Sequence, residues 1–364
     1  MKTSNNYLDM KKALLLIAVM TGCLTLSAQK LDKNEMRQMQ QFLSQPAEKD
    51  ATNAQALKIS DLKNASTWEG VTVENGHITA IDWADKHLAG SLDLSGFTAL
   101  TKVNVSRNAL TALNVKGASA VVRIDAQRNK ISNFAFDGCK ALNTLNTLNI
   151  YKNRITDLTI SNAPFLQTVN ISNNLLVELD VANSTSLKTL NCQGNHLEAL
   201  NIQYCTNLKN LYCGYNKLTG LTLVGVEKLQ NLNIDDNNIA SLIVSGLPSL
   251  ATFVCSDNNM TTLGLRNCTS LLDLVCSYND LTNLQVENCP QLIFVDCSYN
   301  DLTSLTLSNQ TYLQRLLCDH NQLTMLDVSF DQALAYINCR YNLITDLRTI
   351  GCDNLRMIAA RWNP

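Results

Sequence analysis

From about residue 100 onward the chain repeats one pattern of apolar and polar positions. One unit runs Leu271-x-x-Leu274-x-Cys276-x-x-Asn279-x-Leu281-x-x-Leu284-x-Val286-x-x-Cys289. The next runs Leu292-x-x-Val295-x-Cys297-x-x-Asn300-x-Leu302-x-x-Leu305-x-Leu307. The first half of each unit alternates with period two, the signature of a strand with one buried face. The second half, such as Leu302-Thr303-Ser304-Leu305-Thr306-Leu307, also alternates and is rich in Thr, Val and Leu. It is too short for a helix of several turns, so short extended segments or single 3₁₀ turns are expected there. One unit cannot bury its own apolar face, whereas stacked units share a continuous core.

An asparagine marks the fixed point of each unit: Asn108, Asn129, Asn153, Asn174, Asn195, Asn216, Asn237, Asn258, Asn279, Asn300, Asn321, Asn342 and Asn363. Every step is 21 residues except one of 24, where Leu142-Asn143-Thr144 is followed by Leu145-Asn146-Thr147. An inward amide where the chain leaves the strand can donate to and accept from turn groups that would otherwise be buried unpaired. Repeating the turn therefore repeats the Asn. This frame resembles the leucine-rich repeat over at least residues 100–363, and the short unit is similar to that of the bacterial internalins. The resemblance implies a mainly β curved solenoid. Its concave face would be a parallel sheet, its convex face short extended or 3₁₀ segments, and the asparagines a ladder.

Seven of the 13 cysteines share one column: Cys192, Cys213, Cys255, Cys276, Cys297, Cys318 and Cys339. Val105, Ile150, Ile171 and Ile234 hold the same position in other units. Cys139, Cys205, Cys268, Cys289 and Cys352 form a second column. Many cysteines in an exported chain suggest disulfides. A position shared with Val and Ile instead asks for a small buried apolar group, which a thiol supplies. A reduced core ladder is the expectation. No pair has C-x-x-C spacing, so no metal is expected. A cysteine ladder in a 21-residue unit is a further likeness to the internalins.

The start of the chain departs from the repeat. Lys11 and Lys12 precede a short apolar run, Ala13 to Met20, which reads as a signal peptide over residues 1–28 and is too short to span a membrane. The start itself is open between Met1 and Met10. Two processing readings stand: cleavage after Leu26-Ser27-Ala28, or lipidation of Cys23 within Met20-Thr21-Gly22-Cys23. Residues 29–77 read as a helical N-terminal cap and an opening hairpin. Leu31, Met36, Met39, Phe42 and Leu43 have helical spacing, ended by Ser44-Gln45-Pro46, and a second helix is expected from about Asn53 to Lys63. Trp68-Glu69-Gly70-Val71-Thr72-Val73, a turn at Asn75-Gly76 and Ile78-x-x-Ile81-x-Trp83 resemble the hairpin that opens many leucine-rich-repeat domains. The solenoid then covers 78–364, with Lys86 in place of the first Asn. At the far end either Trp362 covers the last unit or that end is an interface. A monomer is expected, with end-to-end contact left open.

Composition adds exclusions. Lys plus Arg is 29 against 31 Asp plus Glu, a net charge of -2, so charge alone suggests neither a nucleic-acid partner nor an anionic membrane. A membrane enters only through the lipid-anchor reading. At 46% hydrophobic and 16% charged the chain is not disordered. The four histidines, His77, His87, His196 and His320, sit in no triad frame, and no phosphate loop, nucleophile elbow or zinc-protease motif occurs. Neither an enzyme nor a cofactor is expected.

Strand positions meant for the concave face change character along the chain. They are basic at first (Lys102, Arg107, Arg123, Arg128, Lys152), then amide-rich, then acidic (Asp235, Asp236, Asp257, Asp273, Asp296, Asp319), and finally rich in aromatics and arginine. Aromatic and Arg residues carry most interface energy. The candidate ligand-binding set is therefore Tyr278, Phe294, Asp296, Tyr299, Arg315, Leu317, His320, Tyr336, Arg340 and Tyr341. Phe294, Leu317 and Tyr336 are expected to be exposed. Tyr215, Tyr278, Tyr299 and Tyr341 all precede a ladder Asn, which leaves two readings: a contact ridge able to stack on sugar rings, or packing along the scaffold rim. The expected function is non-catalytic binding of a protein or glycoprotein by an exported, extracellular or cell-surface module. The internalin resemblance implies adhesion or host contact. The alternative is a periplasmic or outer-membrane scaffold for the cell's own envelope proteins.

Overall fold

The computed structural model describes residues 30–136, 144–307 and 310–364. The residues read as a leader, including Cys23 and Ala28, lie outside the described residues, as do Cys139, Leu142 and Asn143. Helix α1 (Lys33–Leu43) starts at Asp32, whose carboxylate accepts the amides of Asn34 and Glu35 at 2.8 and 3.2 Å. Its apolar face buries Met39, Phe42 and Leu43, with Phe42 stacked on Trp83 at 5.9 Å. Helix α2 is a single turn, Asn53–Ala56, rather than the longer helix the sequence suggests. Lys58 takes a left-handed φ of 56°, and the Ile59 amide reaches back to the Ala54 carbonyl at 2.8 Å, which closes the helix after one turn. Buried Asn53 ties this cap to the solenoid, donating to the Phe42 and Ala89 carbonyls and accepting from the Ala89 amide.

Strands β1 (Val71–Glu74) and β2 (His77–Asp82) pair antiparallel around Asn75 and Gly76, both at positive φ, as a tight hairpin requires. The hairpin shields one edge of the large sheet, and every later pairing in that sheet is parallel. The sheet has 15 strands, most of them three residues long. Equivalent positions lie side by side, so that Asp273, Phe294, Arg315, Tyr336 and Met357 form one row across five strands.

On the opposite face, short extended segments form four small parallel sheets of three, two, three and two strands. The second half of the unit is thus extended, as its alternation predicts. The only 3₁₀ helix among the described residues, Ala65–Thr67, belongs to the cap. Between the two faces runs one apolar core, from Phe42 and Trp83 through the Leu columns to Ile337 and Cys339. The first-column cysteines are buried in it as free thiols, and so are Cys205, Cys268 and Cys289 of the second column, while Cys352 is half-buried.

Candidate functional site

Each unit builds its part of the site in the same way. The middle residue of the three-residue strand enters the core, and its two neighbours face the concave side. The cysteine-column residue then turns inward. Two residues later the backbone swings into the left-handed region, and the ladder Asn follows. Residues before the ladder Asn have positive φ from Arg107 (56°) and Arg128 (58°) through Tyr299 (54°) and His320 (53°) to Trp362 (67°). For a non-glycine residue that conformation costs about 1 kcal/mol, and the Asn amide compensates. Asn279 accepts the Met260 amide at 3.0 Å, and its Nδ2 reaches the carbonyls of Cys255, Cys276 and Ser277 at 3.0, 3.3 and 3.2 Å. The same pattern recurs at Asn300, Asn321 and Asn342. Asn363 accepts the Ile344 amide and donates to the Cys339 carbonyl.

This geometry divides the candidate residues into two groups. Phe294, Asp296, Arg315, Leu317 and Tyr336 stand on concave strands. Tyr278, Tyr299, His320 and Tyr341 do not: they lie in the left-handed turn beyond the strands, on the rim. Arg340 is the residue between its unit's inward cysteine and that turn.

On the rim the rings form one stack. Centroids are 4.4 Å apart for Tyr278–Tyr299, 4.0 Å for Tyr299–His320, 4.2 Å for His320–Tyr341 and 5.6 Å for Tyr341–Trp362, with planes within 21° of parallel. The spacing follows from placing flat side chains at one register position on strands about 4.8 Å apart. Sequence reasoning left Trp362 out of the candidate site and missed the stack, although 278, 299, 320, 341 and 362 share the 21-residue step. The neighbours cover the inner ring faces, so only the outer faces of Tyr278 and Trp362 are left for a sugar ring. His320 Nδ1 lies 2.9 Å from Asp319 Oδ2, and Asp319 Oδ1 accepts from Asn338 Nδ2 at 2.6 Å, which links the rim to the concave face. Tyr341→Ala is expected to detach Trp362 from the stack. It should alter the exposed tryptophan's fluorescence while costing about 1 kcal/mol, read from emission spectra and urea midpoints.

Phe294, Leu317 and Tyr336 are half-buried rather than exposed. In a parallel ladder each concave side chain is flanked by its equivalents one strand away, which shields its sides and leaves its end free. Arg315, itself exposed, lies between the two rings, its guanidinium carbon 5.4 Å from the centroid of Phe294 and 5.4 Å from that of Tyr336. Asp296 is held locally, accepting the Ser298 amide at 3.0 Å and hydroxyl at 2.6 Å. Arg340 Nε is buried without a hydrogen-bond partner.

Elsewhere on this side, Arg123 is paired with Asp125, and Arg128 sits over Tyr151. Asp235 is half-buried between the sheet and the rim. Burial pushes its carboxyl above the usual range, and the charges of Asp236 and Asp257 push the same way. Among the described residues no group of three or more His, Cys, Asp or Glu could hold a metal ion, and no helix is long and apolar enough to cross a membrane.

No family model matches the chain, and no curated protein matches it in sequence. Solved structures do. The functional domain of InlJ from Listeria monocytogenes, which includes a cysteine ladder, is 28% identical over 73% of this chain, with a TM-score of 0.50. This chain spans only 54% of that one. YopM, a leucine-rich effector of Yersinia pestis, is 20% identical over 75% of this chain and 83% of its own, at TM-score 0.53. Toll in its complex with Spatzle, from Drosophila, is 17% identical over 71% of this chain and 45% of its own, at TM-score 0.53. The last two are similar in fold alone.

Proposed function

We propose that the chain, a leucine-rich-repeat protein of internalin-like type, is a non-catalytic module that holds a protein or glycoprotein ligand on the C-terminal part of its concave sheet. The observation that carries this reading is the cluster of Phe294, Arg315, Leu317 and Tyr336 on three adjacent strands. Two aromatic rings, an arginine and a leucine side by side are the residue types that dominate binding energy at protein interfaces. The strands beneath them are rigid, so little ordering is needed on binding. The rim stack flanks the cluster and extends the surface. The leader read from the sequence favours a place outside the cytoplasm, and adhesion at a cell surface is the finer reading of the internalin likeness.

The test is a double variant, Phe294→Ser with Tyr336→Ser. Binders selected from a displayed library of peptides and small domains on the wild-type chain should lose about 30-fold or more in affinity, the equivalent of one interface hot spot of about 2 kcal/mol. The urea midpoint should hardly move, because both side chains are only half-buried. If most selected binders hold the double variant as tightly as the wild type, the concave reading fails. Protease shaving of intact producing cells checks location separately: release of the chain supports surface display, and protection until the envelope is broken contradicts it.

A further inference from the structure

We infer that the concave site takes a carboxylate from its protein partner, an Asp or Glu side chain set among apolar residues, and that Arg315 is the residue that forks it. This rests on the concave-face reading above. The guanidinium of Arg315 lies between the Phe294 and Tyr336 rings, 5.4 Å from each centroid. A planar cation is attracted to both faces, and the two rings narrow the orientations open to it. Its N–H edges are thereby arranged before any ligand arrives, and a guanidinium edge matches a carboxylate through two parallel hydrogen bonds.

No described residue supplies that carboxylate. Arg315 makes no side-chain hydrogen bond or ion pair, although three acids stand nearby. Asp273 lies in the same row, but the Phe294 ring stands between it and Arg315. Asp296 is engaged with Ser298, and Asp319 with His320 and Asn338. Other arginines on the solenoid find partners of their own: Arg123 with Asp125, Arg266 with Glu287, and Arg348 with Asp327 and Asp346. Arg107, Arg154, Arg356 and Arg361 are without an ion pair as well, but of these unpaired arginines it is Arg315 whose guanidinium lies between two aromatic rings within the apolar cluster. Arg340, one unit on and between the strand and the rim turn, has a buried Nε without a partner.

The surroundings favour a peptide segment over a sugar. A pyranose stacks on an open ring face. Here the faces of Phe294 and Tyr336 on one side are turned to Arg315, and Asp273 and Met357 are their register neighbours on the other. Leu317 offers neither donor nor acceptor. An acidic side chain with an apolar neighbour meets both the fork and the floor.

The experiment uses peptides selected from a random displayed library on the full chain. They are then measured against wild type, Arg315→Gln, Arg315→Lys and the Phe294→Ser/Tyr336→Ser double variant. Peptides that need the two rings should carry Asp or Glu. Their affinity should fall at least ten-fold on R315Q and several-fold on R315K, because an ammonium cannot fork a carboxylate. Changing the peptide's acid to its amide should weaken binding to wild type but not to R315Q. Arg315 is exposed, so the denaturation midpoint of R315Q should match that of wild type. Peptides that need the rings yet carry no acid would overturn the carboxylate inference and leave the concave reading standing. Peptides indifferent to both sets of variants would overturn both. Selection of no acidic peptide, together with Arg315-dependent binding of sialylated or uronic-acid glycans on an array, would overturn the choice of a protein ligand.

Discussion

Replacing Asn279 with alanine is expected to destabilise the solenoid by about 2 kcal/mol, although no apolar contact of consequence is lost. The amide of Met260 has Asn279 Oδ1 as its acceptor at 3.0 Å, and the Cys255 and Cys276 carbonyls lie 3.0 and 3.3 Å from Asn279 Nδ2. Alanine leaves the Met260 amide without an acceptor, whereas the Cys255 carbonyl keeps Asn258 Nδ2 at 3.3 Å and the Cys276 carbonyl keeps Asn300 Nδ2 at 3.0 Å; an unpaired buried group costs about 1–3 kcal/mol. The loss of the second donor to each carbonyl adds to this, and entry of water brings the total toward the lower figure. Asn259, next but one in sequence to a buried ladder cysteine's turn, is exposed and makes no side-chain hydrogen bond. Its replacement should shift stability by no more than about 0.5 kcal/mol. Urea midpoints of the two variants decide the matter, and equal midpoints would sink the argument. The loss should also be local, because each unit contacts only its neighbours. Hydrogen exchange at the Met260 amide should therefore accelerate far more than at Leu110, whose amide is held by Asn129.

Much of the fold is written in the chain because the repeat turns one physical constraint into many copies. The apolar alternation places the strands, and the recurring Asn marks where each turn needs an internal partner. The convex segments could be read as extended because their Thr, Val and Leu alternate within too few residues for a helix. What the pattern did not reveal depends on the third dimension. The expectation of exposure at Phe294, Leu317 and Tyr336 treated each strand singly, whereas neighbours at sheet spacing cover much of each side chain. The rim stack was half legible: the sequence left Tyr278, Tyr299 and Tyr341 open between a contact ridge and the scaffold rim, and the left-handed turn that puts them and His320 on the rim shows only in the backbone angles. The length of α2 was misjudged because the αL closure at Lys58 has no glycine to announce it.

Raising the pH from 8 to 10.5 is expected to unfold the chain by way of its cysteine column. Burial pushes the Cys192 thiol up from 9.0 to about 12. It pushes Cys255 and Cys297 further, and raises Cys213, Cys276 and Cys318 well above the ordinary thiol range, where neighbouring thiols and aspartates add to the cost of a thiolate. The sign follows from which form the fold prefers. The core keeps the neutral thiol, so this contribution is complete below about pH 9, where the unfolded thiol begins to ionise, and it is lost as the pH rises toward the folded value. Each fully buried thiol then removes about 1.4 kcal/mol per pH unit, so Cys192 alone accounts for about 4 kcal/mol by pH 12. Six together would remove about 12 kcal/mol by pH 10.5, which is comparable with the whole stability of an ordinary domain. Urea midpoints at pH 8, 9.5 and 10.5 should fall steeply for the wild type. Cys276→Val and Cys297→Val should each flatten the fall by about 1.4 kcal/mol per pH unit. A thiol that ionises only on unfolding is also slow to alkylate, so the native chain at pH 8 should resist iodoacetamide at these six positions until denaturant is added. Midpoints independent of pH, or valine variants that fall as steeply as the wild type, would mean that the column does not hold its thiols neutral. The preference for valine and isoleucine at the same positions in other units would then need a cause other than burial.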